Sequence, residues 1–209
     1  MELLRKGASR LGLALTAKQE GQFEHYCREL LAWNLKMNLT AIVEYEEVQV
    51  KHFLDSLTPS LAVHDRLSQG GSLLDVGAGG GFPGIPLKIA YPSLSLTLMD
   101  SVAKKSTFLQ HIISDLELDD TSIQIGRAED GAMKPHLREA FDVVVSRGVA
   151  PMRILMELTL PYCIHGGVTA VLKKGDIEPE VSNSLHTINV LGGKLRQVVP
   201  VEDIQGLED

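Results

Sequence analysis

Cysteine is scarce in this sequence, and its two cysteines, Cys27 and Cys163, lie far apart. The chain has no C-x-x-C pair and no two histidines at helical spacing, so it lacks both a disulfide framework and the usual ligand pattern of a zinc site. We therefore interpret both cysteines as small core residues and expect no metal.

Positive charge is also in short supply. The chain has 20 lysines and arginines against 27 acidic residues, which gives a formal net charge of −7. That balance excludes nucleic-acid binding through a uniformly basic surface, so any RNA partner must be bound by positive charge concentrated at one place.

Long apolar runs are absent from the start of the chain. Residues 1–15, MELLRKGASRLGLAL, interrupt their leucines with basic side chains, which is typical of neither a signal peptide nor a membrane span. We expect a cytoplasmic protein with no membrane partner.

The first part of the chain has a helical pattern. Thr16 followed by Gln19 predicts a capping box, and apolar residues then recur at helical spacing up to Met37. A second helix is predicted from Glu46 to Leu57. We interpret residues 1–65 as an N-terminal helical cap. Five of its side chains fit either a solvated helix edge or the border of an active cleft: Trp33, Asn34, Lys51, His52 and Asp55.

From residue 66 to residue 209 the pattern changes to strands alternating with helices, which predicts a doubly wound, Rossmann-like parallel sheet of the α/β class. One predicted helix of this region runs from Ala103 to about Leu116. Five apolar runs are the predicted strands: Leu73–Val76, Leu94–Met99, Ile123–Ile125, Val143–Val145 and Val168–Leu172.

A glycine-rich loop follows the first predicted strand, in the stretch SLLDVGAGGGFPGIPLKIA at 72–90. A dinucleotide fingerprint starting at Gly77 would need a third glycine where Phe82 stands, and no glycine precedes Lys and Ser or Thr as in a P-loop. What remains is D-x-G-x-G-x-G, from Asp75 through Gly77 and Gly79 to Gly81. We associate this pattern with S-adenosylmethionine (SAM).

Ligands of such sheets bind outside the carboxyl ends of the strands, so residues that follow each strand are candidate cofactor contacts. Asp100 could accept hydrogen bonds from ribose hydroxyls or instead cap the next helix. Ala128 and Glu129 come where an adenine ring would lie, although Glu129 also fits a solvated turn. Arg147 suits the cleft or a surface ion pair. Asp75 could equally brace the loop or touch the ligand.

Seven stretches together resemble the RsmG family, also called glucose-inhibited division protein B: WNLKMNLT at 33–40, KHFLDSL at 51–57, DVGAGGGFPGIPL at 75–87, MDSVAKKSTFL at 99–109, RAED at 127–130, FDVVVSRGVA at 141–150 and LKKG at 172–175. The resemblance implies a class I SAM-dependent methyltransferase fold and methylation of a guanine N7 in 16S ribosomal RNA. It also assigns cofactor contacts to Gly77, Phe82, Ala128, Glu129 and Arg147.

The chain differs from the family at two places. The family usually has alanine where Gly148 stands, and its members end in a hydrophobic strand, whereas this sequence ends with residues 206–209, GLED. We expect the family's final strand to be absent from these 209 residues.

Guanine N7 already carries a free lone pair, so its methylation requires no general base, and we assign no catalytic acid or base. A basic rim could hold 16S ribosomal RNA, within the small ribosomal subunit, against a monomeric enzyme. Besides Arg147, the rim residues are Lys104, Lys105, Arg153, Lys173 and Lys174. Two other functions stay open, an NAD(P)-dependent oxidoreductase on the same scaffold and a non-catalytic SAM-binding interaction module.

Overall fold

The computed structural model describes residues 1–201 and Leu207. Its centre is one parallel sheet with the strand order β3-β2-β1-β4-β5, which confirms the predicted α/β class and doubly wound topology. The strands are β1 (Gly71–Val76), β2 (Leu94–Asp100), β3 (Thr121–Ile125), β4 (Phe141–Arg147) and β5 (Cys163–Leu172).

Helical segments precede the sheet and make up most of the predicted cap; helices after β1 connect the strands, except the last, which follows β5. The segments before the sheet are α1 (Glu2–Arg10), α2 (Ala17–Met37), α3 (Tyr45–Glu47), a π-helical segment (Val48–Leu54), α4 (Asp55–Leu57) and α5 (Ser60–Ser68), the last of which crosses the predicted boundary at residue 65. The later helices are α6 (Gly84–Ala90), α7 (Ala103–Asp115), α8 (Ala128–Gly131), α9 (Met152–Thr159), a 3-10 turn (Leu160–Tyr162) and α10 (Glu178–Val190).

Helix α2 begins at the predicted capping box. The Thr16 hydroxyl accepts the Gln19 backbone N–H at 3.3 Å, and the Gln19 side-chain oxygen accepts the Thr16 N–H at 2.8 Å. The predicted helix from Glu46 to Leu57 is present but interrupted by the π-helical segment, which the apolar spacing does not indicate.

One hydrophobic core joins the cap to the sheet. Phe23, Tyr26 and Phe53 of the cap belong to the same buried cluster as Leu98 of β2 and Phe108 of α7. The division into residues 1–65 and 66–209 stays a prediction, and the two segments share this core.

Helix α2 also supplies polar contacts to the sheet-side helices. The Gln19 amide nitrogen donates to the carbonyl of Ile89 at 2.7 Å and to that of Ala90 at 3.2 Å, at the end of α6. The Gln22 amide donates to the Leu116 carbonyl at 2.8 Å, just beyond α7. These bonds satisfy carbonyls that the ends of α6 and α7 leave without a helical partner.

Between Leu172 and Val201 the structure contains α10 and no further strand. The expectation about the family's final strand also concerns positions 202–206, 208 and 209, which lie outside the described residues. In the part of the chain that the structure describes, no helix combines the length and the apolar character needed to cross a bilayer.

Candidate functional site

The glycine loop lies against the carboxyl end of β2. The N–H groups of Gly77 and Ala78 both donate to the Met99 carbonyl, at 2.8 and 3.0 Å. Gly77 and Gly79 have φ angles of +79° and +58°, and a Cβ on Gly77 would lie 2.4 Å from a methyl carbon of Val149. Glycine is therefore required at position 77 both by its backbone conformation and by the space available.

Asp100 connects this loop to the start of α7. Its side chain is buried, with one oxygen accepting the Gly79 N–H and the other accepting the Val102 N–H, both at 2.8 Å. A carboxylate can accept about four hydrogen bonds, so capacity remains for ribose hydroxyls. The alternative role, capping of the next helix, is wrong: the N-cap of α7 is Val102, and Asp100 accepts only the N–H of that residue, in the turn before the helix. The ribose role stays a prediction.

Asp75 is fully buried beneath the loop. Its Oδ2 accepts the Gly84 N–H at 2.8 Å, whereas Oδ1 has no hydrogen-bond partner among the described residues. Burial raises the pKa of this carboxyl to about 7, although the Gly84 N–H and the Arg147 charge oppose the rise. These contacts favour loop bracing over ligand contact for Asp75.

Arg147 ends β4 and is held by the cap. One guanidinium nitrogen donates to the Asp55 carboxylate at 2.7 Å and to the Lys51 carbonyl at 3.1 Å, and the other lies 3.2 Å from His52 Nδ1. The guanidinium carbon also lies 5.0 Å from the centre of the Phe82 ring. Arg147 therefore does form an ion pair, but with Asp55 and mostly buried, and not at the surface: the two side chains are 18% and 15% exposed.

The protonation of His52 follows from its neighbours. Because a guanidinium only donates, Nδ1 of His52 accepts from Arg147, and Nε2 then carries the proton toward the Thr40 hydroxyl at 2.7 Å. Burial and the Arg147 charge lower the pKa of His52 to about 4, so the ring is neutral at pH 7. The backbone of Thr40 is fixed in turn by both ends of the Asn34 amide, at 2.9 Å each.

Phe82 lies at the centre of these contacts. Its ring stacks on His52 with centroids 4.5 Å apart and on Tyr26 at 5.4 Å, and its exposed fraction is 6%. The Tyr26 hydroxyl donates to the Gly80 carbonyl and so fixes the loop next to Phe82. Direct contact between Phe82 and the cofactor stays a prediction.

Ala128 and Glu129 lie beyond the end of β3, at the start of α8. The Tyr162 hydroxyl donates to the Ala128 carbonyl and lies 3.4 Å from the Met99 sulfur, which ties this position to the end of β2. Glu129 is exposed. The predicted cofactor residues therefore lie along one edge of the sheet, following β4, β1, β2 and β3 in their spatial order.

The residues of the predicted basic rim differ in how they are held. The Lys105 ammonium lies 3.9 Å from the position that a Cβ would take on Gly79, and Lys104, Arg153 and Lys174 are exposed. Lys173 instead pairs with Glu180 at 2.7 Å, with its side chain 16% exposed. The charge of Lys173 is therefore engaged within the protein.

Three of the five cap residues named from the sequence take part in this site through their side chains: Asn34, His52 and Asp55. Lys51 takes part through its backbone carbonyl, and its side chain pairs with Glu47 at 2.6 Å. Trp33 lies elsewhere, with its ring 5.8 Å from Phe108 and 5.0 Å from His111. The sequence analysis did not identify Tyr26 or Thr40 as site residues. In the sequence, Tyr26 is one apolar position of an amphipathic helix and Thr40 is the last residue of the WNLKMNLT stretch, and neither feature indicates contact with the loop.

A family model, GidB, described as rRNA small subunit methyltransferase G, matches residues 19–205. The Ribosomal RNA small subunit methyltransferase G of Dehalococcoides mccartyi is 46% identical over 209 residues, which cover all of this chain and 87% of that relative. Its namesake from Lachnoclostridium phytofermentans is 50% identical over 194 residues, covering 93% and 79% of the two chains. The crystal structure of M. jannaschii TYW2 in complex with AdoMet has a TM-score of 0.51 at 16% identity over 64% of this chain and 63% of that one, a likeness of fold alone.

Proposed function

Because this chain belongs to the rRNA small subunit methyltransferase G family, we propose that it transfers a methyl group from SAM to N7 of a guanine in 16S ribosomal RNA. The observation that carries the proposal is the edge where Arg147, the glycine loop, Asp100 and Ala128 succeed one another across four adjacent strands. Ligands of such sheets bind at this edge.

The residues at this edge suit SAM. Among the described residues other than its chain neighbours, a Cβ on Gly79 would find only the Gly77 carbonyl oxygen and the Lys105 ammonium within 4 Å, both at 3.9 Å. A ligand can therefore approach the backbone there. Asp100 keeps acceptor capacity for ribose hydroxyls, and Ala128 with Glu129 would border the adenine. When bound, SAM supplies a methyl group made electrophilic by its sulfonium centre.

The surrounding charges support a reaction without a general base. Guanine N7 attacks through an existing lone pair, and no proton has to be removed. Asp55 and His52 are engaged by Arg147, and Asp75 is sealed beneath the loop, so none of the three is available to a substrate. The protein would act by holding the two reactants at attack distance, a proximity effect worth up to roughly 7–11 kcal/mol.

The function is tested by incubating the protein with SAM labelled on its methyl group and with undermethylated 30S subunits, free 16S RNA or DNA. We expect label in the RNA, recovered as 7-methylguanosine after digestion. SAM binding without incorporation into either RNA would favour the non-catalytic module. Binding of NAD(P) in place of SAM would favour the oxidoreductase.

Asp100→Asn is expected to weaken SAM binding about 10- to 100-fold, because hydrogen bonds to a charged acceptor are worth about 1.5–3 kcal/mol. The amide can also accept only one of the two backbone N–H groups now held by Asp100. Isothermal titration calorimetry measures the change. Asp119→Asn, in the loop before β3 at the opposite edge, is the matched control, and equal affinities for the two variants would remove the ribose role.

Lys104→Glu combined with Lys174→Glu is expected to weaken RNA binding and to make its dependence on salt less steep. Each phosphate contact that is lost lowers the slope of log K against log salt by about 0.7–0.9. Lys18→Glu provides the control, because Lys18 lies with Pro92 and Asp119 at the opposite edge of the sheet. Filter-binding assays measure the RNA affinity of the double variant and of Lys18→Glu. An equal loss of affinity in the two would argue against a local basic rim.

The substrate assembly, the oligomeric state and the compartment belong to the same proposal. We place the reaction on 16S RNA within the small ribosomal subunit, carried out by a monomer in the cytoplasm. A basic rim on an otherwise acidic protein supports docking on RNA through one face. Sedimentation with 30S subunits tests this, and the expected result is one copy per particle.

A further inference from the structure

Helices α2 and α7 bring two histidines and two carboxylates together, away from the glycine loop. His25 and Glu29 are one turn apart on α2, and His111 and Asp115 are one turn apart on α7. Residues at this spacing lie on the same face of a helix. Each helix contributes one histidine and one carboxylate, so the sequence contains no pair of histidines at helical spacing that would indicate the group.

The side chains pair across the two helices. His25 Nε2 contacts the Asp115 carboxylate, and His111 Nε2 lies 2.6 Å from the Glu29 carboxylate. One ligand atom each from His25, Glu29 and Asp115 lie within 4.8 Å of one another. A tetrahedral ion with bonds of about 2.0–2.1 Å would space its ligands by ~3.4 Å, which small rotamer changes can reach.

We propose that His25, Glu29 and Asp115 form a binding site for a divalent first-row transition metal ion, with His111 positioning the Glu29 carboxylate. The two carboxylates balance the charge of the ion, and the imidazole favours zinc over magnesium. All three side chains are between 25% and 39% exposed, so an ion can reach them and water can complete its coordination.

Arg28 opposes the metal-bound state. Its guanidinium donates to His25 Nδ1 at 2.8 Å, which keeps the proton of a neutral His25 on Nε2, the atom that would bind the ion. Binding requires the proton to move to Nδ1 and Arg28 to turn away. Since Arg28 is exposed, this rearrangement takes place at the surface. Removing the guanidinium should therefore strengthen the site.

An ion at this position would connect α2 of the cap to α7, which joins β2 to β3. Hydrogen bonds from three side chains of α2, those of Gln19, Gln22 and Tyr26, already join these layers, and the ion would add a metal-dependent connection. The site would then raise the stability of the whole chain, by an amount that grows with the logarithm of the free metal concentration once this exceeds the dissociation constant.

The test uses the full chain, stripped of metal and titrated calorimetrically with ZnCl2, MnCl2 or MgCl2. We expect one saturable zinc site, weaker manganese binding and no saturable magnesium binding. His25→Gln should weaken zinc binding at least ~10-fold and His111→Gln about 10- to 100-fold, since second-shell partners have effects of that size. Arg28→Gln should bind zinc more tightly than the natural sequence.

His186→Gln on α10 is the matched control, because it removes an exposed helical histidine outside the group. Thermal unfolding without metal shows that each variant is folded, and zinc should raise the melting temperature of the natural protein more than that of His25→Gln. Absence of saturable zinc binding would overturn the proposal. So would equal zinc affinities for the natural protein, His25→Gln and His186→Gln.

Discussion

Phe82→Ala is expected to lower the free energy of unfolding by about 3–5 kcal/mol, the usual loss when a buried aromatic ring is truncated to a methyl group. The ring is 6% exposed and lies between Tyr26, His52 and the Arg147 guanidinium. Its removal leaves a cavity where the cap meets the glycine loop. Urea denaturation measures the change in stability.

The same variant separates packing from ligand contact. If Phe82 touches the cofactor, SAM binding measured well below the denaturation midpoint should weaken as well. Phe82→Leu is the matched variant, because it keeps most of the apolar volume and removes the flat ring that stacks on His52. An unchanged SAM affinity in both folded variants would leave Phe82 a packing residue only.

Asp75→Asn is expected to remove a pH dependence of stability worth about 4 kcal/mol, since each unit of pKa shift corresponds to about 1.4 kcal/mol. Burial raises the pKa of Asp75 from 3.8 to about 7, so the folded state binds this proton more strongly than the unfolded state. Its stabilising contribution is complete below about pH 4 and is lost as the pH rises to about 7. The asparagine oxygen can still accept the Gly84 N–H.

Unfolding in urea from pH 4 to pH 8 measures this effect as the difference between the two proteins. The subtraction is needed because His52 has the opposite effect on the free energy of unfolding. Its pKa is lowered to about 4, so its stabilising contribution is lost as the pH falls below 6.5. Asp142→Asn provides a contrast of opposite sign, since hydrogen bonds from Ser72 lower the pKa of Asp142. If the difference in free energy of unfolding between the natural protein and Asp75→Asn does not change with pH, Asp75 is charged at little cost in the folded protein.

Local patterns were enough to predict the sheet. Each of the five apolar runs lies within an observed strand, and the alternation with helices predicted their parallel arrangement. The capping box at Thr16 marked the start of α2, and α7 begins at Ala103 as predicted. These features depend on neighbouring residues or on one repeating pattern, which a single sequence contains.

The contacts across the site could not be predicted in this way. His52 and Arg147 are 95 residues apart, and their meeting depends on how the cap packs on the loop. The π-helical segment also has no signal in the apolar spacing, yet its Lys51 carbonyl accepts a hydrogen bond from Arg147. The pairing of Lys173 with Glu180 is likewise a tertiary contact, and LKKG alone gives no indication that one lysine is engaged and the next exposed.

The dependence of α2 on later parts of the chain affects the order of events during synthesis. Its buried face packs on the loop and on α7, and Gln22 donates to the Leu116 carbonyl. A ribosome adding 5–20 residues per second needs roughly 4–16 s to make the ~80 residues between α2 and Leu116. During that interval the apolar face of α2 is open to chaperones, and we expect the cap to complete its fold after the central strands although it leaves the ribosome first.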